Sequence, residues 1–269
     1  MQVNTIQEVI DELNRIITKE KECGSAMGYF PALYLLVTKS VQEGIAKGEF
    51  ADGPRMERLD VAFANRYLAA YSAYTHAQPC SACWHVAFED TKNAKLLVIQ
   101  QMLLGMNAHI NLDLGLAAAE VCPGDELPPL QGDFNKINDV LLALTSVVEE
   151  ELTKINPLMK LVQRYLGKAA VKFVGFSMSV ARWFAWQTAK EFAPLPPSDW
   201  PVPEGKKDAE VAGLAGLITP KGLLQRWVVR WVRSYEKGTV AENIAILQGL
   251  NPTFEQVKAR AAVVKQQVG

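Results

Sequence analysis

Apolar residues return at intervals of three and four along nearly the whole of this chain, and nowhere do they settle into strict alternation. In "IQEVIDELNRIITKEKE" they fall at Ile6, Val9, Ile10, Leu13, Ile16 and Ile17, one stripe of a helix at about 100° per residue. The same spacing runs through 30–47, 55–75, 82–90, 92–120, 134–154, 157–166, 169–192, 208–218, 220–237 and 239–249. No Asn-Gly or Asp-Gly hairpin signal interrupts it. That rhythm restricts the fold to helices packed on helices. The breakers between segments are "GEFADGP", "CPGDELPPLQGD" and "PLPPSDWPVPEG", and the last, at 194–205, reads as a proline-rich surface crossover. The stretch 206–269 is short for a core of its own. The expectation is one all-α domain over 1–269, with about nine to eleven helices around a buried central helix at 92–120.

That central helix holds the polar residues hardest to place. "GMNAHINLDLGLA" (105–117) sits in a helix that is apolar on most sides, yet contains Asn107, His109, Asn111 and Asp113. Burying such groups without partners costs a few kcal/mol each, so four of them imply a polar network, a ligand site or both. Met102, Met106, His109, Asp113 and Leu116 share one face, and Asn107 and Asn111 nearly the opposite one. His109 and Asp113, spaced i,i+4, suit an oriented imidazole for acid–base work or two ligands of a metal. The bland alternative is a satisfied core histidine, and the asparagines read first as ties between helices.

Two further helices add candidates. "MERLDVAFANRYLAAYSAY" lines up Asp60, Phe63, Tyr67, Tyr71 and Tyr74, where aromatics are ordinary core and Asp60 is the unusual member. "SVARWFAWQTAKEF" puts Arg182 and Trp186 at i,i+4 among apolar neighbours. A buried guanidinium needs a carboxylate, for which Asp60, Asp113 and Asp139 are available. In "GDFNKINDVLLAL" Asp133 reads as the helix N-cap.

The segment "THAQPCSACWH" concentrates His76, Cys80, Cys83 and His85. Cys80-x-x-Cys83 is zinc-like spacing, but structural zinc sites join two separated ligand pairs, and here all four crowd one stretch. Buried cysteines beside a packed Trp84 are the favoured reading, so no cofactor is expected and a metal is the less favoured option. "PKGLLQRWVVRWVRSYEKG" puts Arg226, Arg230, Arg233 and Lys237 on one face and Leu223, Leu224, Trp227, Val228 and Trp231 on another. This suits an anionic membrane surface, although an ordinary packed helix with a solvated basic face is preferred.

Four stretches together, "RLDVAFANRYLAA", "QMLLGMNAHINLDLGLA", "DFNKIN" and "ARWFAW", with "EVAGLAGLI" as a weaker fifth, resemble a mainly bacterial family listed as domain of unknown function 5995. The resemblance implies a shared all-helical fold centred on the 92–120 helix. It implies no substrate, cofactor or catalytic assignment.

Charge narrows the partners. Lys and Arg total 28 against 29 Asp and Glu, which gives no basic excess for nucleic acid. The start has no basic and apolar leader pattern, and the apolar stretches are broken by polar residues, so the expected location is the cytoplasm. The functional expectation is an enzyme acting on a small, largely apolar molecule in a helix-lined cavity. Hydrolysis, dehydration, isomerisation and cyclisation all fit. His109 would be the acid or base, Asp113 its orienter, and Asp60 or Arg182 a charge stabiliser. Asn107, Asn111, Met106, Tyr67 and Trp186 would bind substrate, and Trp183 and Phe176 would line the pocket. The runners-up are a metal-dependent hydrolase and a non-catalytic protein that binds a ligand or a membrane surface. The pattern leaves the oligomeric state open.

Overall fold

Helix α1 (Ile6–Glu22) starts where Thr5 accepts the Glu8 N–H at 3.2 Å, and its six predicted stripe residues are all buried. It packs along α2 (Tyr29–Ala46), which is apolar around most of its circumference. Asp52 caps α3 (Gly53–Thr75) through the Arg55 N–H at 2.9 Å, and Pro54 occupies the first turn, where a missing N–H costs nothing. The chain continues through α4 (Ala82–Asp90), α5 (Val98–Ala108), a π-helical turn (His109–Asp113) and α6 (Leu114–Val121). Then come α7 (Gln131–Ile155), α8 (178–192), α9 (Pro201–Ile218), α10 (Leu223–Arg233), α11 (Val240–Gln248) and α12 (Phe254–Val268). This is a computed structural model, and it describes residues 2–158, 178–250 and 252–268. The predicted helix at 157–166, the first part of that at 169–192, and Phe176 lie largely or wholly outside the described residues. Among the described residues there is no strand, so the fold is all-α.

The α5–α6 rod is the axis, with α2, α3, α4 and α9 packed against it. Met102, Leu104, Ala108, Leu112, Leu116 and Ala117 are buried along it. Each of the Met and Leu side chains contributes about 1.5–3 kcal/mol when fully removed from water, and the two Ala methyls less. Two glycines set how closely neighbours approach. A Cβ on Gly105 would stand 2.6 Å from the Phe30 ring of α2, and one on Gly115 would stand 2.6 Å from the Ala185 carbonyl of α8.

Three boundary expectations need correction. The central helix begins at Val98 rather than 92, because 91–97 form turns and Glu236 accepts the Val98 N–H at 3.2 Å. The crossover at 194–205 is shorter than expected. Pro201 and Pro203 open α9, since the first turn of a helix has no intrahelical use for their missing N–H groups. Asp133 lies inside α7 and does not cap it. Its carboxylate accepts the Ala51 and Asp52 N–H groups at 2.8 and 2.9 Å, fastening the α2–α3 connection to α7.

Candidate functional site

The π-helical turn decides what surrounds His109. Its five residues, His109–Asp113, widen the rod by one residue, a distortion that is rare and concentrated at functional sites. His109 Nδ1 lies 3.3 Å from Asp113 Oδ2, and the pair is 3% and 2% exposed. A carboxylate only accepts, so Nδ1 carries the proton and Nε2 keeps its lone pair. Nε2 has no hydrogen-bond partner. Burial pulls the imidazole below its ordinary value, and Asp113 only partly opposes this, so the ring is neutral at pH 7.

Asp113 is held from three sides. Trp84 Nε1 of α4 donates to Oδ2 at 2.8 Å, and Arg66 Nε of α3 approaches Oδ1 at 3.4 Å. Arg66 in turn pairs with Glu204 at the start of α9. Burial works against the Arg66 charge, but Asp113 and Glu204 outweigh it and hold the guanidinium above its usual range. This is a fixed Trp–Asp–Arg frame with the histidine hung on it.

Aromatic rings enclose the imidazole. Phe63 stacks on it at 3.5 Å between centroids and 10° between planes, Tyr34 meets it edge-on at 4.4 Å, and Phe30 at 5.4 Å. Tyr67 and Trp84 stand at 6.2 and 6.0 Å. Beyond the rings, the Tyr34, Thr38 and Tyr67 hydroxyls and Asp60 Oδ2 are also buried with no hydrogen-bond partner. Asp60 is buried, and desolvation followed by the nearby Glu57 charge raises its carboxyl to about 8. Burial raises the Tyr34 hydroxyl well above its ordinary value, the charges of Asp60 and Asp113 add to that, and the neighbouring Thr38 hydroxyl partly opposes it.

The internal cavity expected at His109 is not open. A small cleft with little more than a water's room is walled by Phe30, Tyr67 and Trp84, three of the rings around the imidazole, together with Met27 and Gly105, and His109 itself does not line it. Asn107 and Asn111 sit elsewhere. Asn107 Nδ2 donates to the Val211 carbonyl of α9 at 2.9 Å, and Asn111 Nδ2 to Asn107 Oδ1 at 2.9 Å, which ties two helices. Met106 is half-buried against the core. Arg182 is buried, as its apolar neighbours predict, but at a different centre: it donates to the Phe134 carbonyl at 2.5 Å and lies 4.2 Å over the Phe134 ring. Neither Asp60 nor Asp113 is its partner. Trp186 joins it at Phe134 with centroids 5.0 Å apart, and Trp183 points into solvent.

The cysteine–histidine stretch is dispersed. Cys83 is buried, its thiol pushed up by desolvation and by the Asp113 charge, and the N–H groups of Ala82 and Cys83 are taken by Asp208 of α9 at 2.6 and 2.9 Å. His76 Nδ1 bonds the Ser72 carbonyl at 2.8 Å, and His85 rests edge-on against Tyr74. Among the described residues no three His, Cys, Asp or Glu side chains are placed to hold a metal. The residue of this stretch that reaches the site is Trp84.

Residues 6–220 match the model of the family of unknown function DUF5995. This chain belongs to that family. The matched range of the DUF5995 protein contains every residue of the His109 centre, from Phe30 to Glu204. No curated protein and no solved structure matches it. Phe30, Tyr34, Phe63, Arg66 and Trp84 are the site members that sequence reasoning passed over. A signal existed for Arg66 and Phe63, which stand in the same "RLDVAFANRYLAA" stretch as Asp60. None existed for Phe30 and Tyr34, whose helix is apolar nearly all round.

Proposed function

We propose that this protein is an enzyme that moves protons on a small, largely apolar molecule, with His109 Nε2 as base and Asp60 as acid. The observation that carries the reading is the unpartnered Nε2, held by Asp113 in the tautomer that frees it and faced by aromatic walls. At pH 7 the carboxyl stands in the state opposite to its usual one, and burial holds the imidazole firmly in its neutral form. The imidazole is kept neutral and able to accept, and the carboxyl, raised to about 8, is kept protonated and able to donate. Titrating groups whose surroundings push them to opposite protonation states are candidates for the acid and base roles of one site. Isomerisation, dehydration or cyclisation uses both groups at once; hydrolysis would use His109 to activate water. Asp113 is a positioning residue, and Trp84 and Arg66 keep it in place. Phe63, Tyr34 and Tyr67 supply the apolar walls, and a ligand would enter by widening the cleft lined by Phe30, Tyr67 and Trp84. Asn107, Asn111 and Arg182 have no part in the step.

Enclosure of both side chains favours a second reading, in which the pair is architectural. His109→Gln separates the two. In the enzyme the variant keeps its melting temperature within a few degrees and loses ligand response, read by ligand-observed NMR against a panel of small cyclic alcohols and ketones. In the architectural reading the same change costs about 1–3 kcal/mol, through unsatisfied partners, and no panel member binds the native protein.

A further inference from the structure

Helix α10 presents its apolar face outward. Leu223 is 85% exposed, Trp227 65% and Trp231 47%, and Leu224, Val228 and Tyr235 are exposed beside them. The packed helix expected from the sequence is therefore not what forms. The helix is attached to the body by its other side: Val229 and Val232 are half-buried, Asn156 Nδ2 donates to the Val232 carbonyl at 3.2 Å, and the Lys237 N–H to the Ile155 carbonyl at 2.7 Å. At about 100° per residue, Arg226 and Arg230 flank one edge of the outward face, and both are exposed. From Leu217 to Tyr235 the chain has Lys221, Arg226, Arg230 and Arg233 and no Asp or Glu, in a protein whose net charge is −1.

A contiguous exposed face of Leu and Trp is not tolerated on a soluble surface without a use. Tryptophans beside arginines, on a helix lying along the body, are what the headgroup–acyl boundary of an anionic bilayer accepts: the rings enter the boundary and the guanidinium groups reach the phosphates. No described helix is long and apolar enough to cross a membrane, so the contact is along the surface. A second copy of the chain fits less well. A two-fold contact through this face would bring its acid-free arginine edge against another like it. The helix also lies beyond residue 220, where the DUF5995 match stops.

We propose that α10 docks the protein on anionic membrane surfaces, with Leu223, Trp227 and Trp231 inserted and Arg226 and Arg230 at the headgroups. The test is flotation of the full chain with vesicles of phosphatidylcholine alone and of phosphatidylcholine mixed with phosphatidylserine, at low and high salt. Binding is expected only to the mixed vesicles and should weaken as salt rises. Arg226→Gln with Arg230→Gln should weaken it about thirty-fold, from two headgroup-facing charges. Trp227→Ser with Trp231→Ser should abolish it with the melting temperature unchanged, since both side chains are outside the core. If that variant misfolds, the arginine variant and the salt series decide. The proposal is overturned if the native protein does not float with the mixed vesicles. It is equally overturned if sedimentation shows a native dimer that the tryptophan variant turns into monomer, because the face is then a self-interface.

Discussion

Asp60 shows how much a single buried group can report. Its reference value is 3.8 and the folded protein raises it to about 8, mainly because burial disfavours the charged form. Across that window the folded state keeps a proton that the unfolded state has released. Stability therefore falls as pH rises from 3.8 toward about 8, by up to about 1.4 kcal/mol per pH unit, and changes no further above it. Asp60→Asn, which stays neutral, removes this slope. Urea titrations should show the variant gaining on the native protein between about pH 5 and about pH 8, with the gap constant beyond. An equal gap at both pH values would mean that Asp60 is ionised in the fold, and the acid assigned to the site would be lost. The odd position of Asp60 was legible in sequence, as one carboxylate at the head of an aromatic stripe. Arg182 was legible in the same way and its burial is observed, but a stripe does not say which neighbour a guanidinium will meet. It met the Phe134 carbonyl and ring.

Elements were easier to read than their contacts. A period of 3.6 fixes which side of a helix goes inward, and the inward sides of α1 and α3 follow it. It does not say which helix lies opposite, and for that reason Phe30 and Tyr34 were invisible as site members. Nor does it distinguish a face that is covered from one that is left out, as α10 shows. The i,i+4 pair His109 and Asp113 was legible because both lie on one element. The π-helical turn that carries the pair was not, since the weak helix formers His, Asn and Asp in "HINLD" do not distinguish a π turn from an ordinary helix with polar residues. Gly115, two residues after that turn, allows α6 to touch α8. An added methyl would meet the Ala185 carbonyl and the Thr188 Cβ, each at 2.6 Å, and neither is the free end of a flexible chain. Gly115→Ala should thus destabilise by about 1–3 kcal/mol, although alanine is the better helix former by about 1 kcal/mol. Chemical denaturation measures this, and a more stable variant would show that α6 and α8 are not in contact as described.

At the scale of the whole molecule, the part that matches DUF5995 is not where the core stops. α11 packs on α1 and α2, and α12 packs on α7, so the C-terminal helices close over the N-terminal ones. Ile244 fills the space left by Gly28, where a Cβ would lie 2.6 Å from Ile244 Cδ1, and Phe254 stands over Gly44, with its ring 3.0 Å from where a Cβ would be. Ile244, Leu247, Phe254 and Val257 are all buried. At about 1.5–3 kcal/mol for each fully buried side chain, removing the four exposes about 6–12 kcal/mol of burial. That equals the whole stability of an ordinary domain, about 5–15 kcal/mol. A chain ended at Thr219 keeps the entire His109 centre and all but one residue of the family match, yet it uncovers the α1 and α2 surfaces beneath α11. We expect it to lose cooperative unfolding, to bind a hydrophobic dye and to aggregate, whereas the full chain melts in one transition. If instead the shortened chain melts cooperatively within a few degrees of the full one, residues 220–269 form an attachment rather than part of the core, and the outward-facing α10 is carried on that attachment.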